Sequence, residues 1–384
     1  MSRTLWTPAH LERLRPDPAT TAPPVDPADV VRVLPDDDVW DPWPVLDPDG
    51  RIATVDGGEV WMALSAPARG HPDGRHDVAR LRLLLRHGPA WTDCGHVFPD
   101  GASPGSREWS GSAVRRADGS VSVFYTAAGR RGEPRRTFLQ RVMEATGRLA
   151  PARDGVRFEA AGVHREIVRP TAGYLPADEL RGGPGRIRAF RDPGWFADPA
   201  DGRQYLLIAA SVAGARRFDG AVGIAARRGR GWTLLPPLLV ADGIHHELER
   251  PHVVAHRGRY HLFFSAHAST FHPPGRAPTG LYGFVAPTVL GPYEPLNDSG
   301  LVIANPPEQP HQAYAWVVLP DLRAVSFLDD RTSGDAAGWR PADATEARAR
   351  FDGTVAPALR LALDGARSEI VGVEALVASS GSPA

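Results

Sequence analysis

The feature that most constrains the fold of this chain is a unit that recurs five times after residue 30. Each unit begins with a polar and aromatic string, which a turn connects to an apolar or alternating strand. The five strings are VWDPWP (39–44), EWSGSA (108–113), FRDPGWFADP (190–199), ELERPHVV (247–254) and QAYAWVV (312–318). The strands after them are VWMALSA (60–66), VSVFYTA (121–127), YLLIAAS (205–211), YHLFFSA (260–266) and AVSFLDD (324–330). Short strands in such a repeat are typical of the blades of a β-propeller.

Further strands complete each unit, and turn residues separate nearly all of them. The chain contains 40 glycines and 38 prolines spread along its length, as expected for many tight turns. A pair of β-sandwiches would show similar strands, but the recurrence of an unusual polar string at the same place in each unit favours the propeller. We therefore predict an all-β fold, a five-bladed β-propeller with a central axial active-site pocket.

The chain divides by composition into a short first segment and the predicted propeller. Residues 1–30 are polar and Pro-rich, and we expect them to form an N-terminal arm packed on the body. Residues 31–384 form a single catalytic domain in this interpretation. The first segment lacks the apolar core of a secretory signal, and no apolar run is long enough to span a membrane. We expect no membrane partner, and either a cytoplasmic protein or export by a non-classical route.

Charge and cysteine content exclude further classes of protein. The formal net charge is -1, whereas a nucleic-acid-binding protein normally carries a basic excess. Cys94 is the only cysteine, so neither an intrachain disulfide nor a thiolate metal cluster can form. His245 and His246 are adjacent, but they lack the spacing of a zinc motif and no second cluster accompanies them. We therefore predict no metal and no cofactor, and the oligomeric state stays open.

In a propeller the five strings converge on the axis, because the first strand of each blade lines the central channel. This places Asp41, Asp192 and Glu249 in one pocket, with Arg191 and Arg250 as their neighbours in sequence. A cluster of carboxylates requires cations, hydrogen bonds or shared protons to compensate the repulsion. Flat apolar surface that suits sugar faces comes from Trp40, Trp43, Trp109 and Trp195. These residue types predict a glycosidase, in which one carboxylate attacks the anomeric carbon and another protonates the leaving oxygen.

Each of these residues also has an ordinary structural interpretation. The Asp41-Pro42 and Asp192-Pro193 pairs have the sequence of plain turn starts. Tryptophans are core residues by default, and the run 36–38 of aspartates is typical of a solvated loop. The interpretation as a site depends on the recurrence of the strings in register with the blades.

At these strings the sequence resembles glycoside hydrolase family 68, the levansucrases, inulosucrases and related β-fructofuranosidases. The motifs that carry the resemblance are WDPWP (40–44), EWSGSA (108–113), RDP (191–193) and ELERPH (247–252). Further segments that resemble the family are LYGFV (281–285), GPYEPLNDSGLV (291–302) and APALRLALDG (356–365). The similarity runs in order from about residue 30 to the C-terminus and also implies a five-bladed propeller.

The resemblance implies a role for each of the three carboxylates. Asp41 would be the nucleophile that forms a covalent fructosyl-enzyme. Glu249 would protonate the glucose leaving group and then activate the acceptor as a base. Asp192 would stabilise the oxocarbenium-like transition state. This is the retaining scheme, with sucrose as donor and sugars or water as fructosyl acceptors.

The resemblance also implies residues that bind substrate. The fructosyl subsite would be lined by Trp40, Trp109 and Ser110. The glucosyl side, or the orientation of the carboxylates, would depend on Arg191, Glu247 and Tyr314, and Arg250 would support Glu249. His267 would lie at the acceptor side.

The chain departs from the family pattern at several positions. His267 stands where members from Gram-positive bacteria tend to carry arginine, and His246 stands where an aspartate often helps to bind calcium, so we expect no calcium site. The segment 194–197 (GWFA) is unusual and is expected to reshape the glucose side. Region 128–180 is shorter than in most members.

Three hypotheses about function stay open. The first is a fructosyltransferase of levansucrase type, and the second is a β-fructofuranosidase, in which water is the dominant acceptor. Both form the same fructosyl-enzyme and differ in the acceptor that reacts with it. The third is a non-catalytic propeller that binds sugars or another protein, which the presence of all three carboxylates disfavours. A related glycosidase acting on arabinan or inulin is disfavoured by the intact EWSGSA and ELERPH strings.

Overall fold

The protein is an all-β propeller of five blades around a central axis. The computed structural model describes residues 3–15, 17–153, 155–171, 173–183, 185–331 and 343–377. Each blade is an antiparallel sheet whose first strand is innermost and whose later strands follow outward, since consecutive strands joined by short turns pair most readily. The predicted fold class is confirmed, and each of the five polar strings forms or overlaps the innermost strand of a blade.

The strands and helices have the following bounds. Strand β1 (Thr4–Trp6) and helix α1 (Pro8–Leu11) precede the blades. Blade 1 comprises β2 (Asp37–Leu46), β3 (Thr54–Val55), β4 (Gly58–Pro67), β5 (Arg80–His87) and β6 (Ala90–His96). Blade 2 comprises β7 (Arg107–Arg115), β8 (Ser120–Ala128), β9 (Gln140–Ala152), β10 (Gly155–Ala160) and β11 (Arg165–Val168). Blade 3 comprises β12 (Phe190–Ala197), β13 (Gln204–Val212), β14 (Asp219–Arg228) and β15 (Gly231–Ala241).

Blade 4 comprises β16 (Glu249–His256), β17 (Arg259–Ala266), β18 (Gly280–Ala286), β19 (Glu294–Pro295) and β20 (Leu301–Ala304). Blade 5 comprises β21 (His311–Val318), β22 (Arg323–Asp330), β23 (Phe351–Val355), β24 (Ala358–Asp364) and β25 (Arg367–Glu374), with helix α2 (Ala344–Arg350) before β23. Short 3-10 turns cover Pro27–Asp29, Pro72–Asp77, Ala268–Thr270 and Leu296–Asp298. Blades 1 and 2 share one continuous sheet, because β2 and β7 pair in parallel over two residues.

All five innermost strands break their register with the second strand at the same place. The last residues paired before the break are Trp40, Trp109, Arg191, Glu249 and Tyr314. In four blades the next residue has a left-handed backbone, with φ of 51° at Asp41, 56° at Asp192, 51° at Arg250 and 57° at Ala315. In blade 2, Gly111 follows the break, and a Cβ there would stand 1.8 Å from the Phe124 carbonyl oxygen. Such bulges re-aim side chains and interrupt the normal alternation of faces.

The N-terminal segment packs on the outside of blades 3 to 5. Strand β1 pairs in parallel with β15, the outer strand of blade 3. The Trp6 side chain is fully buried, and its indole N–H donates to the Ser299 carbonyl at 2.9 Å. Its ring contacts four aromatic rings of blade 4, those of Phe264, Phe271, Tyr282 and Phe284. The division into an arm and a catalytic domain at residue 30 stays a prediction.

Trp6→Ala is expected to lower the free energy of unfolding by about 3–5 kcal/mol, the usual cost of emptying a large aromatic site. The loss arises because Trp6 joins blade 3 to blade 4, and the cavity left behind would have no side chain to fill it. Urea denaturation followed by intrinsic fluorescence measures the change. Leu5→Ala is the matched control, since Leu5 is on the same strand and 38% exposed. Equal destabilisation by the two variants would contradict the role of Trp6.

Across the ranges that the structure describes, no helix combines the length and apolar character needed to cross a bilayer.

Candidate active site

A cavity of about 390 Å³ lies on the propeller axis at the end where the innermost strands begin. We call it the axial pocket. Of the eleven predicted site residues, ten line it: Trp40, Asp41, Trp109, Ser110, Arg191, Asp192, Glu247, Glu249, His267 and Tyr314. Arg250 is the exception, and it borders a second cavity of about 670 Å³ at the opposite end of the axis. The five strings therefore converge on one pocket as predicted.

The shared bulge explains why consecutive residues face this pocket. In a regular strand, neighbouring side chains point to opposite faces. The left-handed residue after the break cancels that alternation, so that Trp40 and Asp41 both line the pocket, and so do Arg191 and Asp192. The five residues paired last before the break thus form an upper ring in the pocket, and the five residues directly after the break form a lower ring beneath it. The lower ring consists of Asp41, Ser110, Asp192, Arg250 and Ala315.

The Arg191 guanidinium lies among three carboxylates. Its Nη2 donates to Glu247 Oε2 at 2.8 Å and to Glu249 Oε1 at 3.3 Å, and its Nε is 3.6 Å from Asp192 Oδ2. The side chains of Asp192 and Glu247 are each 7% exposed, whereas that of Glu249 is 25% exposed. Glu249 is therefore the carboxylate of this group that is most open to a bound ligand.

The electrostatic balance of the pocket favours a proton on Glu249. Burial, partly opposed by the Arg191 guanidinium, raises the pKa of Glu249 to about 8, and the Glu247 carboxylate adds to the increase. Burial also raises the pKa of Asp192 to about 6 against the effect of Arg191. Clustered carboxylates that outnumber their cations cannot all ionise together. At neutral pH Glu249 thus retains its proton and can act as an acid.

Asp41 and Asp192 are each fixed by groups from a neighbouring blade. The Ser110 hydroxyl of blade 2 donates to Asp41 Oδ2 of blade 1. The Asp192 backbone N–H donates to the Thr126 hydroxyl at 2.9 Å, and the Arg250 backbone N–H donates to Asp192 Oδ2 at 3.3 Å. Because each carboxylate is held across a blade boundary, its position depends on the packing of the whole propeller.

Arg250 closes the channel beneath the carboxylates. Its Nη1 donates to the Ala315 carbonyl at 2.5 Å and its Nη2 to the Pro42 carbonyl at 3.0 Å. The guanidinium carbon lies 5.7 Å from the centre of the Trp43 ring. The buried charge joins blades 1, 4 and 5 and brings positive potential below Asp41 and Asp192. That Arg250 supports Glu249 stays a prediction.

The walls of the pocket combine aromatic surface with neutral hydrogen-bonding groups. The Trp109 indole N–H donates to the His76 carbonyl at 3.1 Å, which fixes the ring against the pocket. The Tyr314 hydroxyl is buried and has no hydrogen-bond partner among the described residues, and the Tyr314 ring lies 5.4 Å from that of His267. Burial lowers the pKa of His267 to about 4, so this imidazole is neutral at physiological pH. It can therefore exchange hydrogen bonds with a sugar without adding charge.

The structure corrects the expected positions of Trp43, Trp195 and the 194–197 segment. These residues line the cavity at the opposite end of the axis rather than the axial pocket. The reason is that each innermost strand continues past the bulge toward the far end of the channel. Gly194 is required there, because a Cβ would stand 2.3 Å from the Pro251 carbonyl oxygen.

The histidine pair also has a structural explanation. His246 Nδ1 is 2.9 Å from the Phe218 carbonyl, and its ring lies edge-on to that of His272 at 3.9 Å. Burial lowers the pKa of His245 to about 3. Within the described ranges no group of three or more His, Cys, Asp or Glu residues is arranged to hold a metal ion. That the protein works without metal or cofactor stays a prediction.

Several pocket residues were missed by sequence reasoning. They include Arg75, His76, Ser269, Phe327 and Asp329. The first two belong to a turn between strands of blade 1, and the next to a turn of blade 4, where no periodic pattern exists. Phe327 and Asp329 belong to a strand that was predicted, AVSFLDD, but its pocket-facing side carried no motif.

A five-bladed propeller with clustered carboxylates, an arginine and tryptophans in its axial pocket defines a class, the propeller glycoside hydrolases. The comparisons with known proteins agree. The family model described as Levansucrase/Invertase matches residues 1–227 and 215–377. A levansucrase from Zymomonas mobilis is 33% identical over 97% of this chain and 91% of that protein. The chain belongs to glycoside hydrolase family 68.

Solved structures show the same relationship. The structure of an inulosucrase from Halalkalicoccus jeotgali bound to kestose is 39% identical, with a TM-score of 0.87, covering 97% of this chain and 96% of that one. A levansucrase structure from Gluconacetobacter diazotrophicus shares the fold at 24% identity, with a TM-score of 0.82, over 100% of this chain and 93% of that one. The predicted family membership is confirmed, and the chain is an enzyme of this family.

Proposed function

We propose that the protein cleaves sucrose, releases glucose, and transfers the fructosyl unit through a covalent fructosyl-enzyme to a saccharide or to water. The observation that carries the proposal is the axial pocket, where a protonated Glu249 lies in one cluster with an Asp41 held by the Ser110 hydroxyl. A retaining glycosidase needs this pairing of an acid with a nucleophile. Levansucrase relatives that match nearly the whole chain, and the inulosucrase bound to kestose, support the choice of fructosyl chemistry.

In the first half of the reaction, an Asp41 oxygen bonds to the anomeric carbon of fructose. The bond from that carbon to the glucosyl oxygen breaks, and the Glu249 proton goes to this oxygen, so that glucose leaves neutral. Asp192, next to both groups, stabilises the positive charge that develops on the fructosyl ring. Arg191 orients Glu249 and Glu247 through the hydrogen bonds described above.

In the second half, Glu249 is ionised and acts as a base. It removes a proton from the incoming hydroxyl while that oxygen bonds to the anomeric carbon and the ester bond to Asp41 breaks. The same intermediate serves a sugar or water, and a small difference in transition-state binding decides between them. A hydrolase of the β-fructofuranosidase type is therefore the alternative outcome at the same site.

Incubation with sucrose alone, with free glucose and free fructose measured separately, tests the proposal. Glucose well above fructose demonstrates transfer, and the products then give the linkage. Equal amounts of the two sugars identify a sucrose hydrolase. Release of neither sugar by folded protein would contradict the proposed donor and leave a non-catalytic sugar-binding propeller or another fructoside as substrate.

The pH dependence of kcat/KM on sucrose is expected to show a basic limb near pH 8. Glu249 is an acid only while it holds its proton, and burial raises its pKa to about 8. Above that value kcat/KM should fall about tenfold per pH unit. Initial rates of glucose release across the pH range measure the limb. A decline that already begins near the ordinary pKa of a glutamic acid would contradict the assignment.

A further inference from the structure

Asp329 is a carboxylate of the axial pocket that the proposed reaction does not use. It lies near the end of β22 and its half-buried side chain lines the pocket. Among the residues that the structure describes, its carboxylate makes no hydrogen bond and no ion pair. Neither oxygen is among the buried polar atoms that lack a partner, so both retain access to the pocket. A carboxylate in this state is free to accept hydrogen bonds from a ligand.

The position of Asp329 is closer to the mouth than the catalytic carboxylates. Strand β22 pairs Phe327 with Tyr314 of the upper ring. Asp329 is two residues further along the strand on the same face, about 7 Å beyond that level. In the proposed reaction, the fructosyl unit of the donor lies beside Asp41 of the lower ring and the glucosyl unit beside Glu249 of the upper ring. Asp329 is therefore placed to meet a sugar unit beyond the first two.

Arg75 provides a fixed cation beside this carboxylate. Its guanidinium carbon lies 4.5 Å from the centre of the Phe351 ring and 5.5 Å from that of Trp40. Its Nη1 donates to the Pro72 carbonyl at 3.0 Å. The Arg75 guanidinium acts electrostatically on Asp329, but no salt bridge within 4.0 Å joins these two described residues. The contact of Arg75 with Asp73 is long, with Nη1 3.9 Å from Oδ1, so the guanidinium is not held by a close ion pair.

The two residues come from blades other than those that supply Arg191, Glu247 and His267. Asp329 comes from blade 5 and Arg75 from blade 1, which are neighbours in the ring. Arg191 comes from blade 3, and Glu247 and His267 border blade 4. Burial raises the pKa of Asp329 to about 7 against the effect of Arg75. At neutral pH this carboxyl can therefore both donate and accept hydrogen bonds, as recognition of hydroxyl groups requires.

We propose that Asp329 and Arg75 form an acceptor subsite, which binds the hydroxyl groups of a saccharide that receives the fructosyl unit. This inference rests on the proposed function. The subsite holds the second sugar unit of the acceptor, while a hydroxyl of its terminal unit attacks the anomeric carbon of the fructosyl unit bound to Asp41. These hydrogen bonds give a saccharide an advantage over water in reaching the intermediate. The subsite thus sets the partition between transfer and hydrolysis.

The test compares Asp329→Ala, Asp329→Asn and the matched control Asp364→Ala in the full-length protein at one high sucrose concentration. The readout is the ratio of transfer to hydrolysis. Transfer is the difference between released glucose and free fructose, hydrolysis is the free fructose, and the first is divided by the second. Loss of one hydrogen bond to the acceptor is expected to lower this ratio about fivefold in Asp329→Ala. Asp329→Asn should recover part of it, and Asp364→Ala, which makes the same change at an exposed position of β24 in the same blade, should match the wild type.

The ratio separates the inference from a loss of folded protein, because misfolding lowers both sugars together. An unchanged ratio in Asp329→Ala would overturn the acceptor subsite, and so would equal glucose and fructose from the wild type. An equal fall in Asp364→Ala would also overturn it, since the effect would then not depend on the pocket. No glucose release by the wild type would contradict the proposed function instead.

Discussion

Asp41→Asn is expected to lower the rate of glucose release from sucrose by about 10⁴-fold or more, the scale of losses when a nucleophile is removed. An amide cannot form the fructosyl ester, so neither transfer nor hydrolysis can begin. The loss corresponds to about 5 kcal/mol of transition-state stabilisation. Asparagine is the right replacement because Asp41 has a φ of 51°, and asparagine tolerates the left-handed region better than most residues.

The matched control is Asp49→Asn, which makes the same change in a turn of blade 1 at a side chain that is 48% exposed. It should retain wild-type turnover. Circular dichroism and thermal unfolding of both variants show whether the fold survives. Glucose release by folded Asp41→Asn within about 100-fold of the wild type would exclude Asp41 as nucleophile, because a variant that cannot form the covalent intermediate should lose far more.

The fold could be predicted from the sequence because a polar string recurs at the start of each of the five blades. Each blade must begin with a strand that lines the axis, and in this chain that strand carries polar residues which a core strand would not tolerate. Five such strings, each ahead of an apolar strand, leave few other architectures. The same register places Asp41, Asp192 and Glu249 on three of the five innermost strands, so their convergence in one pocket follows from the amino-acid sequence alone.

The bulge was not predictable from local sequence. Asp41-Pro42 and Asp192-Pro193 have the composition of turns, yet both pairs lie inside strands, where a left-handed aspartate re-aims the chain. Without the bulge, alternation would direct Trp40 and Asp41 to opposite faces. The prediction that Trp43 and Trp195 line the pocket failed for the same reason: residues beyond the bulge belong to the other end of the channel.

Residues from turns and second strands are the other part of the site that pattern reasoning cannot reach. Arg75 reaches the pocket because the turn Pro72–Asp77 folds over the start of blade 1. Nothing in the local sequence specifies that path, which depends on packing against blade 5, where the Arg75 guanidinium meets the Phe351 ring. Asp329 was visible only as the polar end of an apolar strand. Side chains of this kind are where members of one family can differ while the carboxylates stay the same.

Glu249→Gln is expected to lower kcat on sucrose by about 10³-fold to 10⁴-fold, because glucose must then leave without a proton. The same variant should react far better with para-nitrophenyl β-D-fructofuranoside, whose phenolate leaves without acid assistance. A general acid predicts this dependence on the leaving group, whereas a residue that merely holds the fold does not. The basic limb near pH 8 should also disappear. That limb is expected because burial raises the pKa of Glu249 to about 8, and a glutamine side chain does not titrate.

The second half of the reaction gives this variant a distinct signature. With the activated donor the fructosyl-enzyme forms, but no base is left to activate water, so the intermediate should accumulate. Mass spectrometry of a protease digest should find one fructosyl unit on the peptide that contains Asp41. Azide needs no base and should release it as a fructosyl azide, with recovery of turnover. A fructosyl unit on another carboxylate, or no recovery by azide, would contradict the pairing of Asp41 as nucleophile with Glu249 as acid and base.

Asp192→Asn is the matched comparison: it removes a charge next to both groups but leaves the acid in place, so neither azide nor the activated donor should restore its turnover.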